Sequence, residues 1–117
     1  MENNLKSIFD KQKSFQLNFY DPDNMTEDQK IALTKEFILC MHRELGEVLN
    51  IIPWKLHRKN SKQYDTDELK EEVIDCFKYL LNLCLIWGLD ADTFEKLFFE
   101  KSNVVEERYN KEKNDIS

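Results

Sequence analysis

The sequence predicts an all-α protein, a bundle of four helices, and three observations carry that reading. Only two Gly and two Pro occur in 117 residues, while Leu, Lys, Glu, Phe and Ile are plentiful. That balance favours long helices joined by short connections over a many-turned β fold. Apolar residues recur at helical spacing in four stretches, and residues suited to capping stand at their starts. The length allows one domain, 1–117, with a modest core.

Leu5, Ile8, Phe9, Gln12, Phe15 and Phe19 mark a first helix over about residues 3 to 19. DPDNMTEDQ then forms a turn, and Thr26 with Gln29 reads as a capping box opening a second helix that runs to about Ile51, before Pro53. A basic loop, PWKLHRKNSKQY, follows. Asp65 with Glu68 caps a third helix ending near Trp87, with Gly88 as its stop. Asp90 caps a fourth, carrying Phe94, Leu97, Phe98, Val104 and Val105, and the final EKNDIS is expected to fray.

A formal net charge of −6 argues against a surface that tracks the phosphates of a nucleic acid polymer. Cys40, Cys76 and Cys84 are an odd number set in apolar runs, so they read as small hydrophobes in a reducing compartment. The N-terminus lacks an apolar leader segment, and the longest apolar run, near Tyr79–Leu89, is interrupted by Asn82 and too short to cross a bilayer. The expectation is a cytoplasmic protein with no membrane partner.

Four acids break the apolar pattern. With Glu44 at zero on a helical wheel, Phe37, Val48 and Ile51 fall within about 40° of it, so Glu44 lies inside the apolar arc and Glu47 on its shoulder. On the third helix Glu72 shares an arc with Tyr79, Leu83 and Cys76, and Asp75 takes the shoulder. A buried carboxylate protonates, pairs with a cation or binds a metal. Arg43 points about 100° away from Glu44 and is a poor partner by spacing. If the two helices pack antiparallel, four oxygen donors converge, a hard-cation site most natural for Mg²⁺, with Mn²⁺ possible by the same chemistry. The Glu-x-x-His pairs that a di-iron bundle requires are lacking.

Glu44-x-x-Glu47, 24 residues, then Glu72-x-x-Asp75 resembles the signature of the all-α nucleoside triphosphate pyrophosphatases, the MazG-like and dimeric dUTPase superfamily. HRELGEVLNIIPWK resembles the stretch in which an ExxE helix runs into an aromatic–Lys turn, and EEVIDCFKYLLNLCL resembles the second metal helix. LFFEKSNVVEERYN resembles the closing phosphate-contacting segment, and FDKQKSF the first-helix Gln segment. The resemblance implies a Mg²⁺-dependent hydrolase that splits a nucleoside triphosphate, with dUTP the leading candidate, into monophosphate and pyrophosphate. It implies that Glu44, Glu47, Glu72 and Asp75 hold metal and that one acid, here Glu47, activates the water.

Lys55, Lys101 and Arg108 are candidates for phosphate contacts, because charge-assisted donors suit phosphoryl oxygens. Asn82 is a candidate for a base edge, or a satisfied core amide. Gln12 is a further base reader, whereas Gln16, one turn on, reads as a plain surface glutamine. Trp54 stacks on a base or lids the core. Where the resembled C-terminal pattern has Asn four residues after its Lys, this chain has Val105, with Asn103 earlier, so the base stays open: dUTP, dCTP or a non-standard nucleotide. The competing class is a non-catalytic helical binding module. The third helix is apolar nearly all round, with Leu81 and Leu85 opposite the acids, which predicts a homodimer with that helix near the interface. Family resemblance points to the same assembly.

Overall fold

The computed structural model describes residues 4–53 and 63–116. Its four helices are α1 (Leu5–Gln16), α2 (Glu27–Ile51), α3 (Thr66–Ile86) and α4 (Ala91–Ile116), with no strand among the described residues. α1 begins where the Asn4 side chain accepts the Ser7 N–H at 2.9 Å. It stops three residues short of the expected Phe19. Asn18 turns its amide back onto the Phe15 carbonyl at 2.9 Å, the local bond by which Asn competes with a helix interior.

The capping box of α2 is complete: Thr26 Oγ1 accepts the Gln29 N–H, and Gln29 Oε1 accepts the Thr26 N–H. α3 opens on Asp65, which accepts from Asp67 and Glu68 N–H. It ends as Leu89 N–H reaches the Cys84 carbonyl at 2.8 Å across Gly88, whose φ is 72°. A Cβ on Gly88 meets nothing within 4 Å, so the obstacle to a larger residue is the left-handed backbone alone. Gly88→Ala is therefore expected to cost about 1–2 kcal/mol, read as a lowered urea midpoint with an unchanged m-value.

Asp90 accepts the Thr93 N–H at 2.8 Å to start α4, and that bond holds its carboxyl below the usual range. The expected fraying of EKNDIS is corrected: α4 stays helical to Ile116. Its last turns alternate Glu and Lys or Arg, good helix formers whose opposite charges fall at i,i+4 spacing.

α2 and α3 form an antiparallel pair. Thr34 accepts the Trp87 indole N–H at 2.8 Å, Phe37 meets Tyr79 at 6.2 Å between ring centroids, and Glu44 lies against Glu72. The partner number falls as the first rises. α1 crosses α3, where Phe9 packs with Leu81, Leu85 and Ala91, and α4 is joined to this cluster through Phe94. Leu81 and Leu85 were the residues expected to need a second copy; α1 covers them instead. Val73, Ile74, Phe77 and Leu80 on α3 remain 43–56% exposed. The three cysteines are free, with Cys76 buried and Cys40 and Cys84 half-buried, as small hydrophobes would be. No helix among the described residues is long and apolar enough to cross a membrane.

Candidate metal centre and nucleotide cleft

The antiparallel pairing places the C-terminal half of α2 beside the N-terminal half of α3, and this brings acids from both together. Glu44, Glu72 and Asp75 each offer a carboxylate oxygen within 4.8 Å of the others. Glu44 and Glu72 are half-buried, and Asp75 is exposed on the shoulder, as its wheel position requires. Glu47 is exposed and stands outside this group of three, close enough for its charge to bear on Glu72.

The electrostatics are those of acids crowded without a counter-ion. Glu44, near enough to share a proton with Glu72, lifts the Glu72 carboxyl above its ordinary range, and burial and the charges of Asp75 and Glu47 add to the shift. Burial raises the Cys76 thiol, and the charges of Glu44, Glu72 and Asp75 raise it further. Glu72 Oε2 is buried with no hydrogen-bond partner. An orphaned oxygen facing two more carboxylates suits a divalent cation. One expectation changes: the Arg43 guanidinium, although its Cα faces away, curls back to 3.4 Å from Glu44 Oε1. Its side chain is 67% exposed, so water screens most of that attraction.

A second polar feature lies between α1 and α3. Gln12 donates through Nε2 to Asn82 Oδ1 at 2.8 Å, and both residues are buried. The pair satisfies one donor and one acceptor and leaves the Gln12 carbonyl and the Asn82 amino group with bonding capacity. Gln16, expected on the surface, is also buried, and its side chain makes no hydrogen bond among the described residues. The signal for it was its i,i+4 relation to Gln12, which puts both on the inner side of α1. Tyr20, in the turn after α1, had no sequence signal. Its ring stands 6.4 Å from Phe37, its hydroxyl is buried without a partner, and burial with the Glu36 charge pushes its pKa up to about 12.

Lys101 and Arg108 are exposed on α4 and make no ion pair with the acids. Trp54 and Lys55 lie outside the described residues. An open apolar cleft of about 810 Å³ between α1 and α3, lined by Ile8, Gln12, Ile74, Phe77 and Leu81, faces away from the acids, since Ile74, Phe77 and Leu81 sit on the opposite side of α3 from Glu72.

Fold and site together define the class: an all-helical bundle with a carboxylate cluster gripped between two antiparallel helices. A family described as dUTPase matches residues 4–116, and the chain belongs to that family. Its general function is accordingly that of a nucleotide pyrophosphatase of the dUTPase kind. Comparison with curated proteins and with solved structures gives no match.

Proposed function

We propose that the protein hydrolyses dUTP, with Mg²⁺, to dUMP and pyrophosphate. The observation that carries the reading is the carboxylate cluster of Glu44, Glu72 and Asp75, with its orphaned Glu72 oxygen, inside a chain that matches the dUTPase family from end to end of its described part. Glu44, Glu72 and Asp75 are the ligands, with Glu47 the fourth. When bound, Mg²⁺ neutralises the triphosphate and lowers the pKa of a bound water. Glu47, exposed beside the cluster, takes the proton from the water that attacks the phosphoanhydride between the α- and β-phosphates. The bond to the α-phosphate forms as the bond to pyrophosphate breaks, and the two products leave with the atoms of one water added.

Net negative charge otherwise repels a triphosphate, so the acids and the cation act as one unit. The base is read at the buried amides. Gln12 and Asn82, fixed by their mutual bond, present one acceptor and one donor, a pairing that fits the complementary edge of uracil. A panel of dNTPs assayed for pyrophosphate tests the reading. dUTP is expected to be turned over fastest, with Mn²⁺ substituting for Mg²⁺ and EDTA stopping the reaction. No pyrophosphate from any nucleotide would leave a helical binding module in its place, and faster turnover of dCTP would reassign the base.

A further inference from the structure

Arg43 is the one cation paired with an acid of the cluster among the described residues. Its guanidinium Nη2 stands 3.4 Å from Glu44 Oε1, whereas the ion pairs Lys6–Asp10 and Lys13–Asp23 involve α1. The contact is loose. Charge-assisted pairs close to about 2.7–2.9 Å when they are firmly made. The Arg43 side chain is 67% exposed and that of Glu44 17%, so the guanidinium sits at the mouth while its partner reaches inward. Because the two residues are neighbours in the sequence, the bond ties no two helices together, and its loss opens no part of the fold.

The side on which Arg43 stands is the side on which the cluster opens. In an antiparallel pair, equal rotations of the same sense turn both helices toward one side. Glu47 and Asp75 each stand about 60° from the inward acid of their helix in one sense, and Arg43 stands about 100° from Glu44 in that same sense. Glu47 and Asp75 are exposed, whereas Glu44 and Glu72 are half-buried. Arg43 also lies one turn before Glu47, on a shared face. Its charge bears on Tyr79 of α3, so the guanidinium leans across the pair and not away from it.

A divalent cation on Glu44, Glu72 and Asp75 and a guanidinium against Glu44 compete for one carboxylate, and at that range they repel each other. Released at the open side, the same guanidinium has phosphoryl oxygens to meet, and its planar fork takes two at once. We propose that Arg43 is a displaceable counter-ion: it neutralises Glu44 in the metal-free protein, gives up that carboxylate when the cation binds, and moves onto the phosphates of the nucleotide. The second half rests on the nucleotide-hydrolysing reading above; the first half does not. The arrangement sets an order of binding, because the guanidinium stays engaged until Glu44 has another partner.

Two titrations test it, on a variant whose new residue is also a good helix former. In the first, Mn²⁺ is added without nucleotide and the bound fraction is read by electron paramagnetic resonance. Arg43→Gln is expected to bind Mn²⁺ about fivefold more tightly than wild type, because a competing positive charge is gone. In the second, pyrophosphate release is followed against nucleotide concentration at saturating Mg²⁺. Arg43→Gln is expected to raise KM about tenfold with kcat within about twofold, the mark of lost binding common to ground and transition states. Arg43→Lys, which keeps the charge without the fork, is expected to match wild type for Mn²⁺ and to fall between the two for KM. A surface ion pair with no further role would move neither affinity. Unchanged or weaker Mn²⁺ binding in Arg43→Gln overturns the exchange at Glu44, and an unchanged KM overturns the transfer to phosphate. A wild-type protein that binds Mn²⁺ yet releases no pyrophosphate from any nucleotide overturns the hydrolytic reading and the phosphate step with it, while the Mn²⁺ titration still decides the exchange at Glu44.

Discussion

Glu72→Gln is expected to abolish turnover while making the magnesium-free protein more resistant to heat. The two effects share one cause. Glu72 sits at the centre of the acids, with one oxygen buried and unpartnered, and Glu44, Asp75 and Glu47 all push its pKa up. In the metal-free protein that crowding is an unfavourable charge arrangement, and an amide of the same shape relieves it. With the nucleotide present, the same change removes a ligand oxygen, and loss of about 4 kcal/mol of transition-state stabilisation lowers turnover about a thousand-fold.

The pH dependence has a definite sign. Because the folded-state pKa of Glu72 is raised, the folded chain holds its proton to higher pH than the unfolded chain does. The contribution of Glu72 to wild-type stability without metal is then fully present below its unfolded-state pKa and is lost as pH rises through the raised pKa. The Glu72→Gln variant loses that slope. Thermal midpoints in EDTA over a pH series, beside a pyrophosphate assay, test both halves. A variant midpoint below wild type at neutral pH, or turnover retained, contradicts the role given to Glu72.

The second large effect is expected at Ile86. It is the only side chain fully closed off from solvent among the described residues, at the end of α3. Ile86→Ala removes three carbons from the most deeply buried position and is expected to cost about 3 kcal/mol. For a chain of this size that corresponds to a fall of about 12 °C in the thermal midpoint. The acids lie several turns away, so Mg²⁺-dependent turnover at low temperature is expected to survive while the folded state lasts. A loss under about 1 kcal/mol would show that the site collapses around the missing atoms instead of leaving a cavity.

Much of this molecule was legible in the sequence because its signals are local. Thr26 with Gln29, Asp65 and Asp90 start helices through bonds to residues within three positions, and Gly88 stops one through its own backbone. The acids were legible for the same reason. A 3.6-residue repeat sets which side chains share a face, so Glu44 and Glu72 had to enter the apolar arcs and Asp75 had to stand on a shoulder.

What the sequence left open depends on contacts between helices. Gln16 looked like a surface residue because its burial comes from neighbouring helices and not from α1 itself. Arg43 looked remote from Glu44 because wheel angles locate Cα atoms, while a long guanidinium stem reaches round the helix. Leu81 and Leu85 looked like an interface because nothing in their own helix shows that Phe9 of α1 will cross over them.

By itself, then, the sequence determined four capped helices and which carboxylates face inward, since both follow from bonds and angles within a few residues. Only the tertiary structure decided that Gln12 locks onto Asn82, that three of the four acids meet within 4.8 Å while Glu47 stays outside, and that the apolar residues of α4 beyond Phe94 stay exposed among the described residues. Those outcomes are set by where separate helices cross, and a crossing is chosen by the packing of residues that lie far apart in the chain.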